Sequence, residues 1–434
     1  MVDNLEILRA SARRRSARLR EVISELPEGR GSTLASLLSF LLDKHDLALS
    51  TLDRQAVAQR LNESALGLIS RKYERLLPQL EGVHRILATY RSSIGRTDLP
   101  VGFQHLIDVL IGDILGGEAD PIVHVQERNM YSTADLVTAM SRYFNGAQME
   151  AMYTGGRPVA FNLPGLDPTN ALLTPVLAHE VSHTAVRSGL MEELQLALDS
   201  EALARLLFSA LHAEGVAEAD LSRVGKEWTQ QLQGWLAESL CDAVALALCG
   251  PSFLLAFTAF APPSGEPRVG THPPQRDRIG LHVRQLEGSG WWPFMEERLP
   301  VLSEWFKQVS TTVPLAHTPL EGFLRDGLQL ASADLIAVAL RHVTTPLTAE
   351  SAPAVSEAAG SFVDGIPAVE TQEQRVLTPW EIVLGAWIAI LATGEQPDKP
   401  ASGVELELAV ANQKFSLLVL KALEMASVLA SWRA

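Results

Sequence analysis

The stretch that decides the fold is TPVLAHEVSHTAVR, residues 174–187. Thr174 is a favourable helix cap through its hydroxyl group, and Pro175 suits the first helical position, where a backbone N–H would have no partner in any case. The pattern therefore predicts a helix from Pro175 to about Arg187. Its apolar residues indicate that this helix is buried.

His179, Glu180 and His183 form an H-E-x-x-H motif on this helix. Residues four apart stand on one helix face, roughly 6 Å apart, so two imidazoles can converge on a single zinc ion at about 2.0–2.1 Å. Glu180 lies about 100° round the helix, beside the metal rather than on it. It is the predicted general base, acting on a water molecule that zinc makes more acidic. The alternative is a helix with two incidental histidines.

A zinc site of this kind needs a third protein ligand, and no third histidine follows at the spacing of a longer metal motif. Glu238 and Asp242 lie four residues apart in the apolar segment 235–248, so both carboxylates would be buried on one helix face. Glu238 is the predicted ligand, and Asp242 is predicted to bond to a ligand imidazole. Two alternatives stay open: Asp242 is the ligand, or arginine or backbone groups satisfy both acids.

His272 precedes two prolines in a loop, and Arg278 follows six residues later. A proline restricts the residue before it to extended conformations, so His272 can be held in one place. An oriented imidazole can donate a hydrogen bond to the oxyanion that forms during hydrolysis. Arg278 is the second candidate for this role, or it braces the loop by pairing with an acid. A surface histidine is the alternative for His272.

Together, the H-E-x-x-H motif, the later E-x-x-x-D pair and the T-H-P-P segment resemble the gluzincins, specifically the CAAX prenyl endopeptidase and HtpX-type group. The resemblance implies one zinc ion and proteolysis by a metal-activated water. It implies Glu180 as the base, Glu238 as the third ligand and Asp242 as the residue that orients His179. It also makes His272 an expected active-site residue.

The resemblance covers roughly residues 150–290, a third of the chain. Ser182 and Ala243 depart from the glycine and arginine that the group commonly has at these positions. Many members carry membrane helices. No run in this sequence reaches the ~18 uninterrupted apolar residues of a membrane span, so we expect no integral membrane segment.

The predicted fold class is α+β, mostly helical, with a zincin-like metallopeptidase core. Periodicity and composition divide the chain into an N-terminal helical region, residues 1–95, the core, residues 96–290, and a C-terminal helical region, residues 291–434. Short strands are predicted at residues 121–125 and 158–164.

Prolines flank the second predicted strand, which favours an edge position in the sheet. At an edge, the backbone of Val159, Ala160 and Phe161 could pair with an extended peptide substrate. Ser132 is predicted to cap a helix. An Ala/Ser/Pro-rich linker is predicted at about residues 344–360.

The formal net charge of −15 argues against a general nucleic-acid binder, which needs a basic field. Cys241 and Cys249 are eight residues apart, about 12 Å along one helix, which is too far for a disulfide with each other. A reducing, cytoplasmic compartment is expected. The basic run at residues 13–15 is predicted to lie on a solvated helix.

The expected function is hydrolysis of a peptide or protein substrate at a zinc ion. Two other classes remain open at this level. One is a non-peptidase zinc hydrolase of a small molecule, which would have a closed pocket. The other is a non-catalytic binding or scaffold protein that retains a zinc site.

Overall fold

The computed structural model describes residues 2–26, 32–58, 63–93, 99–117, 119–126, 130–144, 153–164, 169–261, 272–311, 318–394 and 413–433. They fold into two compact units: residues 1–98 with 118–168, and residues 99–117 with 169–434. This is a different division from the three regions predicted from the sequence, and those regions stay a prediction.

Helices dominate both units, and their bounds in chain order follow. They are α1 (Val2–Ser24), α2 (Ser32–Ala58), α3 (Glu63–Tyr90), α4 (Val101–Leu115), α5 (Leu136–Ser141), α6 (Thr174–Ala185), α7 (Met191–Ala197), α8 (Ser200–Ala213), α9 (Leu221–Cys249), α10 (Pro251–Phe260), α11 (Gln275–Gly288), α12 (Trp292–Arg298), α13 (Pro300–Thr311), α14 (Pro319–Leu330), α15 (Ser332–His342), α16 (Ala352–Val363), α17 (Pro379–Gly394) and α18 (Gln413–Arg433). A small sheet of three strands accompanies them, so the α+β, mostly helical prediction is confirmed.

The sheet belongs to the first unit and has the strand order β1-β3-β2. Its strands are β1 (Ala119–Gln126), β2 (Ser132–Asp135) and β3 (Arg157–Pro164). Strand β3 pairs with β1 in parallel and with β2 in antiparallel register. The sheet packs with α2 and α5 in this unit, where α1, α2 and α3 form the rest of the core.

The predicted edge position of the second strand is wrong, because β3 lies in the middle of the sheet. Its prolines are tolerated because β2 pairs only with Val159 to Asn162, so Pro158 and Pro164 fall outside that ladder. Val159, Ala160 and Phe161 are fully buried and paired on both sides. They therefore offer no free edge to a peptide, and the prediction that they pair with a substrate is wrong.

Two other local predictions are corrected. Ser132 starts strand β2 rather than a helix, and Asp135 caps α5 by accepting hydrogen bonds from the backbone N–H groups of Val137 and Thr138. The predicted linker contains α16, which buries Val355 in the core of the second unit. Alanine-rich sequence suits a packed helix as well as a linker, so composition alone misled the prediction.

Among the residues that the structure describes, two helices are long and apolar enough to cross a membrane by length and composition alone. One is the segment Glu218–Cys249, which includes α9; its most apolar window is 78% buried, as expected for a core helix, which passes the same test. The other is Phe415–Arg433 at the C-terminus, with 33% of its window buried. The absence of an integral membrane segment stays a prediction.

Candidate metal centre

The two motif histidines lie on α6, which begins after a short 3-10 turn. Asn170 caps the start of that turn, Ala171–Leu173, by accepting a hydrogen bond from the backbone N–H of Leu172. Pro175 stands in the first turn of α6, as predicted. The predicted cap is wrong, because the Thr174 hydroxyl donates backwards to the carbonyl of Ala171 at 2.7 Å instead of capping the helix.

Helical spacing brings His179 and His183 together on one face of α6. Their ring centroids are 4.9 Å apart, and the rings are nearly perpendicular, at 87°. Beyond Ala185 the chain continues as a π-helical turn, Val186–Leu190, in which Gly189 adopts a φ of 131°. The backbone of Gly189 is not helical, so the chain bends here between α6 and α7.

Glu238 on α9 presents its carboxylate to both histidines. Its Oε2 lies 3.5 Å from His179 Nε2, and its Oε1 lies 3.7 Å from His183 Nε2. Ligand atoms at about 2.1 Å in a tetrahedral zinc site are about 3.4 Å from one another. The two separations from Glu238 are close to this value.

His179, Glu180 and His183 form a cluster whose potential ligand atoms all lie within 4.8 Å of one another, and this cluster could hold a metal ion. Glu180 is half-buried. Burial raises the pKa of its carboxyl group, while the neighbouring His179 opposes that shift. Glu180, the predicted base, therefore lies close to His179 and His183, the two predicted histidine ligands.

Opposing electrostatic effects act on the two imidazoles. Burial alone would lower the pKa of His179, but the carboxylates of Asp242 and Glu238 outweigh it and raise the pKa to about 9. For His183, burial and the adjacent His179 lower the pKa to about 4. The two imidazoles of the centre thus lie in different electrostatic environments, His179 beside two carboxylates and His183 beside a second imidazole.

Asp242, one turn after Glu238, is the hub of a buried polar network. Arg278 donates to it twice, from Nε to Oδ2 at 2.7 Å and from Nη2 to Oδ1 at 2.6 Å. His179 Nδ1 lies 2.8 Å from Oδ1, and His282 Nε2 lies 3.0 Å from Oδ2, although neither contact is aligned as a hydrogen bond. Burial would raise the pKa of Asp242, but Arg278 and His282 hold it well below its usual range.

Arg278 is therefore not placed to act on a substrate. It is buried, it donates two hydrogen bonds to Asp242, and its guanidinium lies over the ring of Phe257 at 4.4 Å. Its prediction as a second oxyanion donor is corrected. The alternative prediction, that Arg278 pairs with an acid, agrees with the structure. The acid is Asp242, which also contacts His179.

His183 has a neutral partner where His179 has a charged one. Cys241 Sγ lies 3.3 Å from His183 Nδ1. Both cysteines are free and buried, and burial raises the pKa of the Cys241 thiol well above its usual range. A protonated thiol at this position fixes the ring of His183 without adding a charge.

His272 contacts Glu238 and is largely exposed. Its Nε2 is 3.4 Å from Glu238 Oε1, and its side chain is 61% exposed. The preceding Thr271, part of the T-H-P-P segment, lies outside the described residues. An exposed imidazole at this distance can contact both solvent and a molecule bound at the centre.

Sequence reasoning did not identify His282 or Cys241. His282 is 1% exposed and lies between the rings of Phe253 and Phe257, at 5.3 and 5.2 Å. The available signal was spacing, since His282 follows Arg278 by one helical turn on α11. Cys241 had no such signal, because a cysteine in an apolar helix is usually a core residue.

Comparisons with family models, with curated proteins and with solved structures find no match to this chain.

Proposed function

We propose that this protein is a zinc-dependent metallopeptidase of the gluzincin kind, with a zincin-like core. His179, His183 and Glu238 would hold one zinc ion, and Glu180 would be the general base. The observation that carries the proposal is the spacing of 3.5 and 3.7 Å between the Glu238 oxygens and the Nε2 atoms of His179 and His183. The carboxylate of Glu180 lies in the same cluster as the two histidines.

The donor set supports zinc over harder cations. Two imidazoles and one carboxylate form a typical catalytic zinc site, whereas calcium and magnesium prefer oxygen ligands alone. The contact of Asp242 with His179 Nδ1 at 2.8 Å leaves Nε2 as the nitrogen that faces the ion. Bound at this place, zinc would lower the pKa of a water molecule to about 7 and polarise the substrate carbonyl.

The other steps of the reaction would be carried out by side chains of the protein. Glu180 takes a proton from the water whose oxygen attacks the peptide carbonyl carbon, and delivers it to the amine nitrogen when the C–N bond breaks. His272, exposed and 3.4 Å from Glu238, donates a hydrogen bond to the oxygen that becomes negative during the attack. Asp242 and Cys241 hold the two ligand imidazoles in orientation.

The test is metal analysis combined with digestion of a broad peptide library. Wild-type protein purified without chelator should contain one zinc per chain and cleave peptides. Glu180→Gln should keep the zinc but lose about 10²–10⁴-fold in turnover, because general-base catalysis contributes that much. Glu193→Gln is the matched control, since it makes the same change at an exposed glutamate on α7.

Each of the other outcomes would support a different function or a different assignment of the site. No transition metal, and no uptake of added zinc, would refute the metal site. Zinc with hydrolysis of small esters or amides only would indicate a small-molecule hydrolase. Zinc with no hydrolysis of any substrate would indicate a binding or scaffold protein. Equal turnover in Glu180→Gln and wild type would assign the base elsewhere.

A further inference from the structure

A cavity of about 670 Å³ lies between α1 and α3 in the first unit. Buried Leu19 from α1 and Leu80 from α3 lie at its base, and exposed Ala88 and Thr89 belong to its accessible lining. Its rim is polar and exposed. The volume falls in the range of about 300–1,000 Å³ that is usual for pockets that bind small molecules.

The rim of this cavity carries more positive than negative charge. Arg15 and Arg18 contribute positive charge from α1 and Arg85 from α3, with Glu81 as the acidic residue among them. This balance contrasts with the chain as a whole, whose formal net charge is −15. Arg15, the last residue of the basic run 13–15, therefore lines this cavity. The run is exposed to solvent, as predicted.

The protein itself does not neutralise most of this charge. Arg18 pairs with Glu21. Among the residues that the structure describes, Arg15 and His84 show no ion pair or hydrogen bond through their side chains, and Arg85 shows only a contact at 6.0 Å with the ring of Tyr143. A planar guanidinium has five N–H donors, which match carboxylate or phosphate oxygens in pairs.

We infer that this cavity, which we call the α1–α3 pocket, binds an anionic amphiphile. The ligand would carry a phosphate or carboxylate group held by Arg15 and Arg85, and an apolar portion lying against Ala88 and the aliphatic stems of the arginines. An inorganic anion would contact only the guanidinium groups, and a neutral apolar molecule would contact only the apolar part of the lining. This inference does not depend on the proposed zinc chemistry.

The probe is octyl phosphate, below its micellar concentration, titrated into the full chain by calorimetry. We expect one binding site per chain and affinity at least about tenfold tighter than for inorganic phosphate, because the alkyl chain removes apolar surface from water that inorganic phosphate does not have. Octanol, with the same chain and no charge, should bind much more weakly. Higher salt should weaken binding of octyl phosphate, since the rim is exposed.

The variant is Arg15→Gln combined with Arg85→Gln, which should lower the affinity for octyl phosphate at least about tenfold. Both residues are exposed, so the fold should be kept. The matched control is Arg75→Gln, which removes an exposed charge from the same helix away from the pocket. An equal loss in the control would show general charge attraction and overturn the inference. So would no detectable binding of octyl phosphate to wild type, or unchanged binding in the double variant.

A free molecule and a lipid headgroup share this chemistry, and a second arm separates them. Phosphatidylcholine vesicles with and without phosphatidylglycerol are sedimented with wild type and with the double variant. Binding to the anionic vesicles that the double variant loses would identify a membrane lipid as the source. Binding of octyl phosphate without sedimentation would identify a soluble ligand.

Discussion

Replacing Asp242 with asparagine tests whether one buried carboxylate organises the metal centre. Asp242 is 2% exposed and accepts two hydrogen bonds from Arg278, which is itself 7% exposed. Asparagine keeps the shape of the side chain but removes its charge. The Arg278 guanidinium then stays buried without a counter-charge, and one of its hydrogen bonds meets an amide N–H₂ group instead of an oxygen.

The expected loss follows from the cost of a buried unpaired charge. Removal of one partner from a buried ion pair typically costs about 3–5 kcal/mol of unfolding free energy. The double variant Asp242→Asn with Arg278→Met should be less destabilised than the sum of the single changes, because the stranded charge is gone. Zinc affinity should fall by about 10–100-fold in Asp242→Asn, since His179 loses the group that orients it.

The assay is chemical denaturation with a chelator present, followed by zinc titration of the folded variants. The chelator removes the metal from the stability measurement, so that the ion network is measured alone. Asp326→Asn is the control, because Asp326 is exposed. A loss below about 1 kcal/mol, the value of a surface pair, would refute the reasoning, as would strictly additive effects in the double variant.

The remaining predictions concern single positions. Glu238→Ala should lose most of the bound zinc by metal analysis, and full occupancy would exclude it as a ligand. His272→Ala should lower kcat by about 10²–10³-fold with KM and zinc content unchanged, and kcat near that of wild type would remove it from the reaction. His282→Phe should weaken zinc binding by about tenfold in a competition titration; unchanged affinity would make the residue a packing element only. Burial lowers the pKa of His45 below its ordinary 6.5, so the unfolded chain binds a proton there more readily and stability falls as the pH drops through 6.5. His45→Met should reduce this fall in the melting temperature between neutral pH and about one unit below 6.5, and an unchanged pH dependence would contradict it.

Much of the helical framework could be predicted because apolar periodicity and backbone chemistry act locally. Pro175 marks the start of α6, and the apolar run around Glu238 marks the buried part of α9. The position of β3 could not be predicted. Its prolines are compatible with an edge, but equally with a central strand whose second neighbour is short, and only the pairing of β2 decides between them.

The centre as a whole rests on three pairs of polar residues, each pair one helical turn apart on a different helix. The pairs are His179 with His183 on α6, Glu238 with Asp242 on α9, and Arg278 with His282 on α11.

The first two pairs could be found from the sequence because each is set in apolar residues, where a polar group needs a partner. The third pair lies in α11, a helix with many charged residues, so nothing local shows which of its polar residues are buried. The four-residue spacing of Arg278 and His282 indicates a buried pair only when it is compared with the polar residues of another helix. A buried acid such as Asp242 requires donors, and two donors one turn apart on a later helix satisfy that requirement from a single face. A search for such complementary pairs, rather than for one motif, would have included His282.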